Sequence, residues 1–298
     1  MSTKQQESPL LPFPAPPSLH SSFAMLPASL PGDLEQMTAI YYAAFASDPG
    51  NCFWWAPTRE QQETWLKARI TKKFSDPAVR HYKIVHVETG DIAAWARWDI
   101  PEGAVGFGEG AKKADVKVDV SAQINNAERE SVGGTSGGSG QALTASETPS
   151  TGAAAAAAGT TTSSEGKEQK KGLTPPEGAN AAWCEAFFSA LLVMHEKWDA
   201  GKMLGLSLIA TSPSYQRRGA ARALIEPLLA LADSQGLQTY LEATAAGRPV
   251  YEKLGFREVD VLEYNVREIT GGAVDIERVT LSVMVREPSA GKAEEVKA

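Results

Sequence analysis

The sequence predicts a mixed α/β domain with an antiparallel hairpin in its first half and a βαβ unit in its second half. Residues 92–99 alternate with the period of a strand, and from residue 204 onward short apolar runs alternate with amphipathic stretches. Between the two halves, residues 102–178 hold 14 of the 26 glycines and a single aromatic residue, Phe107. This tract lacks the apolar residues that a core requires, so we expect one α/β domain with a disordered insertion.

Two helices open the domain, and each begins with a capping pattern. Asp33 and Gln36 have the spacing of an N-cap and N3 pair, and Thr58 and Gln61 repeat that spacing. Each helix is expected to end at an Asp-Pro dipeptide, because the residue before a proline disfavours the helical conformation and proline cannot continue the hydrogen-bond ladder.

A hairpin and alternating strands and helices follow. Turn residues at 88–91 separate two β-rich runs, and the helix after the glycine-rich tract carries apolar residues over a wide arc. The predicted elements are, in order, strands 82–87 and 92–99, helix 183–198, strand 204–211, helix 219–234, strand 239–244, helix 248–254, and strands 256–266 and 279–286.

These elements divide the chain into five predicted segments. They are a disordered proline-rich arm over 1–22, the first part of the domain over 23–101, a low-complexity disordered insertion over 102–178, the second part of the domain over 179–287, and a flexible tail over 288–298.

Composition narrows the class of protein. A formal net charge of -7 over 298 residues argues against a nucleic-acid partner. The two cysteines and four scattered histidines predict neither a disulfide framework nor a metal site. No apolar run reaches the ~18 residues of a membrane span. We therefore expect a cytoplasmic protein, with the nucleus as the alternative, that is a monomer or a homodimer and binds no membrane.

The segment from Thr211 to Ala221 carries the most informative pattern. It lies between an apolar strand and an amphipathic helix, and Gly219 allows close approach of the backbone to a ligand. The start of a helix presents unpaired N–H groups and the positive end of its dipole, which suits a phosphate. The segment has neither the Gly-Lys-Ser/Thr of a Walker loop nor three spaced glycines.

Within this segment, the hexapeptide Gln-Arg-Arg-Gly-Ala-Ala at 216–221 resembles the Q/R-x-x-G-x-G/A acyl-CoA signature of the GNAT superfamily of N-acetyltransferases. Residues 251–256 are similar to the family's tyrosine followed by a Gly-Phe turn. The resemblance is strong over 202–259 and weaker over 23–101. It implies an acyl-CoA N-acyltransferase fold, with a central, mostly antiparallel twisted sheet flanked by helices, and acetyl-CoA as co-substrate without a metal.

The resemblance also implies how acetyl-CoA is held. The backbone of the 216–221 loop binds the pyrophosphate, and the end of the preceding strand pairs with the pantetheine as an added strand would. The residues implied in cofactor binding are Ile209, Ala210, Thr211, Gln216, Arg217, Arg218, Gly219, Ala220, Ala221, Thr244 and Tyr251.

Acyl transfer to an amine needs a base for the amine and an acid for the departing thiolate. Tyr251 occupies the tyrosine position that the family uses and, with an ordinary pKa near ~10, is protonated at neutral pH. Many members of the GNAT superfamily have a glutamate base on the strand before the phosphate-binding loop. The corresponding strand here, at 204–211, contains no glutamate, so Glu242 on the next strand is our candidate base. A structural, hydrogen-bonded Glu242, a base at Asp48, and proton loss to water remain alternatives.

An acceptor pocket is expected among the early helices and the hairpin. Asp48, Trp54 and Trp95 are the candidate substrate-binding residues, with turn formation and core packing as their alternative roles. His195 and Cys184 are interpreted as structural residues of the helix that follows the insertion.

Together these observations predict an N-acetyltransferase that transfers acetyl from acetyl-CoA to a primary amine of a small molecule by direct attack. The alternatives are a non-catalytic CoA-binding or adaptor protein and a lysine or N-terminal protein acetyltransferase.

Overall fold

The computed structural model describes residues 11–110 and 174–289, which form a seven-stranded sheet with helices on both faces. The strands are β1 (Phe23–Pro27), β2 (Val79–His86), β3 (Ile92–Asp99), β4 (Leu204–Thr211), β5 (Thr239–Ala243), β6 (Arg257–Tyr264) and β7 (Val279–Arg286). Their spatial order is β1-β2-β3-β4-β5-β7-β6, and only the β4–β5 pair is parallel. The prediction of a mixed α/β fold with a mostly antiparallel sheet is confirmed.

The helices pack in two layers. They are α1 (Leu34–Phe45), α2 (Pro49–Cys52), α3 (Arg59–Phe74), α4 (Ala181–Lys197), α5 (Ala220–Ser234), α6 (Arg248–Lys253) and α7 (Val266–Ile269). α5 and α6 bury their apolar residues against the face of β3 that carries Trp98. α1 and α3 cover the opposite face at Trp95, and α4 continues that layer over β5 and β7 at Tyr240. We call this second side of the sheet the α1–α4 face.

β4 and β5 separate soon after they meet. Only two residue pairs join them, Leu204 with Thr239 and Gly205 with Tyr240. β5 is paired along its whole length with β7 on its other side, and β4 is paired with β3 up to Thr211. The C-terminal halves of β4 and β5 therefore leave a gap between them, with unpaired backbone on the β4 side.

An irregularity in β4 changes which side chains face this gap region. The register between β3 and β4 shifts between Arg97 and Trp98, so that Leu208 is opposite Arg97 while Leu206 is opposite Trp98. Ser207 is the extra residue of a β-bulge, which breaks the simple alternation of a strand. Leu206 consequently packs with α5, whereas Leu208 packs on the α1–α4 face.

Several elements agree with the sequence-based predictions. β3, β4 and β7 have the predicted bounds, and Thr58 caps α3 by accepting a hydrogen bond from the N–H of Gln61. The predicted N-cap at Asp33 is positioned correctly but makes no capping bond. Its carboxylate instead pairs with Lys83 at 2.6 Å and accepts from the Ser29 N–H, because β2 brings a cation to it.

Several features differ from the predictions. α2 (Pro49–Cys52) is a short helix where the Asp-Pro dipeptide predicted only the end of the first helix. β1 is a strand where no strand was predicted, since five residues beside a proline-rich segment give too short a pattern to detect. α7 was likewise missed, because it has only four residues. α4 is not buried over a wide arc: Cys184 and Phe187 are buried, but Leu192 and Val193 are exposed, so apolar composition overstated its contact with the core.

The arm and the insertion lie partly outside the described residues, which exclude 1–10 and 111–173. In the described part of the arm, Phe13 is buried and its ring packs edge-on against Tyr82. At the start of the predicted insertion, Phe107 is buried and its carbonyl accepts a hydrogen bond from the Tyr82 hydroxyl. Both segments therefore contribute to the core next to the sheet, which corrects their predicted bounds at 22 and 102.

Candidate active site

The loop before α5 has an unusual backbone. A 3₁₀ turn over Pro213–Tyr215 follows β4, and both Arg217 (φ 62°) and Gly219 (φ 81°) adopt the left-handed conformation. Glycine takes this conformation without steric cost, whereas for arginine it is uncommon and strained. The loop is thus held in a shape that exposes residues 216–219 and starts α5 at the buried Ala220.

This loop presents unpaired donors and positive charge. Ala223 is the first residue of α5 to donate to a helical carbonyl, that of Gly219. Among the described residues, nothing accepts from the four N–H groups of 219–222, and neither Arg217 nor Arg218 forms an ion pair. Free N–H groups at a helix start, with two guanidinium groups beside them that have no carboxylate partner among the described residues, fit a pyrophosphate. The loop is therefore suited to the diphosphate of coenzyme A.

The end of β4 offers backbone groups to an extended ligand. The N–H of Ser212 donates to the carbonyl of Ala93, so alternate residues from Ser212 back along β4 direct their backbone groups toward β3. The backbone groups of Ile209 and Thr211 consequently point the other way, into the gap left by β5. A pantetheine chain contains two amides that can pair with such an edge.

A cavity of about 70 Å³ lies on the α1–α4 face beside this gap. Its polar lining residues come from four elements or their flanks: Asp99, His195, Ser207, Tyr240 and Glu242. Ser207 follows Leu206, which packs with α5, so its side chain faces this side of the sheet as Gly205 does, and the bulge then brings Leu208 to the same side. With two carboxylates in its wall, the cavity attracts a cationic group such as an ammonium.

Glu242 is held in place by its neighbour on the same strand. The Tyr240 hydroxyl donates to Oε1 of Glu242 at 2.8 Å. Burial raises the pKa of Glu242 above its ordinary value, and the hydrogen bond from Tyr240 opposes that rise. Burial also raises the pKa of Tyr240, with the Glu242 charge adding to the effect. Tyr240 therefore stays a donor, and Glu242 is a stronger base than an exposed glutamate.

Tyr251 and Thr244 meet on the opposite face. Both side chains approach Gly247, where an added Cβ would come within 3.0 Å of the Tyr251 ring and 3.5 Å of the Thr244 hydroxyl. Tyr251 is buried in the layer of α5 and α6, with its ring edge-on to Phe256. Burial raises its pKa, so its hydroxyl remains protonated over the neutral range. This is the state that a proton donor requires.

Three predicted acceptor residues do not line the cavity. Trp95 is fully buried, and its indole donates to the carbonyl of Met37 in α1. Trp54 is 1% exposed and packs among the rings of Trp65, Phe187 and Phe188. Asp48 caps α2, accepting from the Gly50 N–H and the Asn51 amide. The expectation that these residues form an acceptor pocket is corrected, because core packing and helix capping occupy all three.

The site includes residues that the sequence did not identify. Asp99 and Ser207 reach the cavity from β3 and β4, and His195 reaches it from α4 although it was interpreted as structural. Asp99 ends an alternating strand on the same face as Trp95 and Arg97, which is a signal that was available in the sequence. No local pattern in the sequence indicated that Ser207 belongs to the site.

Within 11–110 and 174–289, no group of three or more His, Cys, Asp or Glu side chains is arranged to hold a metal ion. None of the helices in those ranges combines the length and hydrophobicity needed to cross a membrane.

Comparison with known proteins gives a family match over the region that contains the 216–221 loop. Residues 196–271 match the family described as acetyltransferase (GNAT) domain. An uncharacterised N-acetyltransferase of Schizosaccharomyces pombe is 36% identical over 84 residues, which cover 28% of this chain and 31% of the relative. The chain thus spans about a third of the length of the curated relative that it matches.

A solved structure shows the same fold. A candidate arylalkylamine N-acetyltransferase 7 of the yellow fever mosquito aligns with a TM-score of 0.51 and 11% identity, covering 90% of this chain and 88% of the other. The described residues therefore share the fold of that structure, and the region that contains the 216–221 loop is similar to the acetyltransferase (GNAT) domain family.

Proposed function

We propose that this protein is an N-acetyltransferase that transfers acetyl from acetyl-CoA to the primary amine of a small molecule by direct attack. The observation that supports this most strongly is the position of the cavity. It holds Glu242 on the α1–α4 face, next to the gap where β4 leaves its backbone unpaired.

Acetyl-CoA binding follows from the loop and the strand end. Its pyrophosphate contacts the N–H groups at the start of α5, and Arg217 and Arg218 add positive charge. Its pantetheine lies along Ile209 and Thr211 in the gap. This arrangement brings the thioester toward the cavity, so that the acyl carbon and the amine meet without a covalent enzyme intermediate.

Glu242 and Tyr251 each take part in one proton transfer. The acceptor enters as an ammonium, attracted by Asp99 and Glu242, and loses a proton to Glu242 directly or through water. The amine nitrogen forms a bond to the thioester carbon, and the carbon–sulfur bond breaks. Tyr251 gives its proton to the departing thiolate, and the products are an acetamide and free CoA. The acylated nitrogen loses its second proton to water, Glu242 releases its proton to solvent and the deprotonated Tyr251 takes one up, so that one proton is released for each ammonium acetylated.

A small-molecule acceptor is favoured over a peptide because the cavity is small and is lined by residues of β3, β4, β5 and the end of α4. A protein acceptor needs an extended groove for the residues that flank its lysine. Among the described residues, the cavity lining shows no such groove. A protein that only binds CoA needs no general base, whereas Glu242 is buried in the cavity wall and its pKa is raised as a base would require.

Thiol release from acetyl-CoA tests the proposal. The full chain is incubated with acetyl-CoA and single members of a panel of polyamines, amino acids, arylamines, aminoglycosides and lysine peptides. We expect thiol release with at least one small amine, and loss of that release in Glu242→Gln with acetyl-CoA binding kept. Binding without turnover for every amine would support the adaptor role, and turnover with peptides alone would support a protein acceptor.

A further inference from the structure

Two arginines on the α1–α4 face lack a carboxylate partner. Arg97 of β3 is 8% exposed, and Arg69 of α3 has its Nη1 atom enclosed by protein. Within the part of the chain that the structure describes, neither forms an ion pair. Burying a guanidinium group without an anion costs free energy, and such groups are usually paired.

The Arg97 side chain reaches the wall of the cavity. Its Nε donates to the Ser207 hydroxyl at 2.8 Å, and its Nη2 donates to the Ser207 carbonyl at 3.3 Å. Ser207 itself lines the cavity. One hydroxyl therefore separates the cavity from the Arg97 guanidinium, which has no charged acceptor.

Arg69 lies behind this wall and is held by aromatic rings. Its Cζ is 4.4 Å from the centroid of Phe188 and 5.1 Å from that of Trp65. These cation–π contacts fix the guanidinium plane but leave Nη1 without an acceptor in the described residues. Burial and, to a smaller extent, the like charge of Arg97 together lower the pKa of Arg69 to about 10. An anion between the two arginines relieves both effects.

The charges on this face are thus separated into two sets. Asp99 and Glu242 are in the cavity wall, Arg97 is hydrogen-bonded to Ser207 in that wall, and Arg69 lies near enough to interact with the charges of both Arg97 and Asp99. A ligand complementary to both sets carries a positive group at one end and a negative group at the other. An amine that also bears a carboxylate has this charge pattern.

We propose that the acceptor is an amine with a second, anionic group of the carboxylate type, and that Arg97, supported by Arg69, binds that group beside Ser207. The inference rests on the proposed acetyltransferase function, since it names the substrate class for the same cavity. The amine end lies against Glu242, and the carboxylate takes the free donors of the arginine pair. Bidentate recognition of a carboxylate is the geometry for which a guanidinium is best suited.

Matched substrate pairs that differ by one carboxylate test this inference. The pairs are ornithine and putrescine, lysine and cadaverine, phenylalanine and phenethylamine, and glutamate and 4-aminobutyrate. For the full chain, kcat/KM should be at least about tenfold higher for the member with the extra carboxylate in one or more pairs, as loss of one charge-assisted bond implies. Equal or lower values in every pair would overturn the inference.

Arginine variants locate the effect. Arg97→Gln and Arg69→Gln should lower kcat/KM for the preferred carboxylated substrate by about tenfold or more, with little change for its decarboxylated partner. Arg278→Gln, whose side chain is 60% exposed and remote from the cavity, is the matched control and should change neither. An equal loss for both members of a pair would show a structural role only.

A binding readout separates this inference from the proposed function. Thermal shifts are measured for each pair without acetyl-CoA, with circular dichroism to confirm that each variant is folded. A shift with the carboxylated member that Arg97→Gln abolishes supports the anion site even if no amine is acetylated. If amines without the extra carboxylate are acetylated as well as their carboxylated partners, the proposed anion site is wrong, whereas the proposed acetyltransferase function stands.

Discussion

The Tyr240 hydroxyl donates a 2.8 Å hydrogen bond to Oε1 of Glu242, two residues away on the same strand and the same face. The pair lies in the wall of a cavity that opens beside the separated ends of β4 and β5. Burial and the hydrogen bond act in opposite directions on the pKa of Glu242, and burial has the larger effect. A substitution that removes the Tyr240 hydroxyl should therefore change the pKa of Glu242.

Tyr240→Phe should move the acid limb of the pH profile to higher pH. Removing the donor removes the effect that lowers the Glu242 pKa, so a higher pH is needed to form the carboxylate. The measurement is kcat/KM against pH with a fixed amine. Tyr264→Phe is the control, because that hydroxyl donates to the Phe187 carbonyl rather than to Glu242. An unchanged acid limb in Tyr240→Phe would remove Glu242 as the base.

Tyr251→Phe should lower kcat by ~10²-fold and leave acetyl-CoA binding unchanged. The substitution keeps the buried ring and its packing on Phe256 but removes the proton that the thiolate receives. Steady-state kinetics and calorimetric titration measure the two quantities. Tyr82→Phe deletes another buried hydroxyl, which donates to Phe107 far from the loop, and should not lower kcat. Equal turnover for wild type and Tyr251→Phe would contradict the assigned role.

Gly219→Ala should weaken acetyl-CoA binding and destabilise the start of α5 by about 1 kcal/mol. The cause is conformational, because φ is 81° and an added Cβ would meet nothing within 4 Å. Titration calorimetry and thermal unfolding report the two effects. Gly32→Ala is the matched control, since its Cβ also meets nothing but its backbone is not left-handed. Equal effects of the two substitutions would rule out a special role for the left-handed backbone at Gly219.

Arg217→Gln and Arg218→Gln should each raise the KM for acetyl-CoA by about threefold at low salt, and by less at high salt. Both arginines are exposed and without ion pairs to described residues, so their contribution is a screened attraction for phosphate. Kinetics at two ionic strengths measure it. A salt-independent effect would indicate that the substitutions alter the loop conformation instead of the charge.

Asp233→Asn should lower the free energy of unfolding by about 2 to 3 kcal/mol at neutral pH. Asp233 accepts two bonds from Arg286, at 2.6 and 2.8 Å, and one from the Ser289 N–H. Burial alone would raise the Asp233 pKa, but these bonds outweigh it and lower the pKa.

The sign of the pH dependence follows from that lowered pKa. The carboxylate contributes fully above the unfolded pKa of ~3.9 and loses its contribution as the pH falls through the lower, folded value. Denaturant unfolding at several pH values should therefore show wild type and Asp233→Asn converging in acid. If the difference in unfolding free energy between wild type and Asp233→Asn stayed constant as the pH fell below the folded pKa of Asp233, the charge of Asp233 would have no role in stability.

The parts of the fold with long, regular patterns could be predicted from the sequence. Alternation over Ile92–Asp99 and the apolar run over Leu204–Thr211 gave the correct bounds of β3 and β4, and the hexapeptide at 216–221 indicated the loop. β1 and α7 could not be predicted in this way, because β1 has five residues and α7 has four, which are too few to show a periodic pattern. Local signals therefore predicted the strands that flank the CoA site but not the short elements at the edges.

The acceptor side of the site depends on tertiary contacts that no local pattern contains. Trp54 and Trp95 have the residue type of a pocket wall, yet neighbouring helices enclose them. Ser207 lies in the cavity wall at the point where a bulge shifts β4 by one residue against β3. The pairing of Arg97 with Ser207 likewise follows from the register between β3 and β4, which a sequence without homologues does not specify.

Calorimetric titration of the full chain with acetyl-CoA tests the account most directly. The separated strands β4 and β5 and the free N–H groups at the start of α5 predict saturable binding of one acetyl-CoA per chain, weakened in Gly219→Ala and in Arg217→Gln. No heat of binding at millimolar acetyl-CoA, with the protein shown to be folded, would contradict the account.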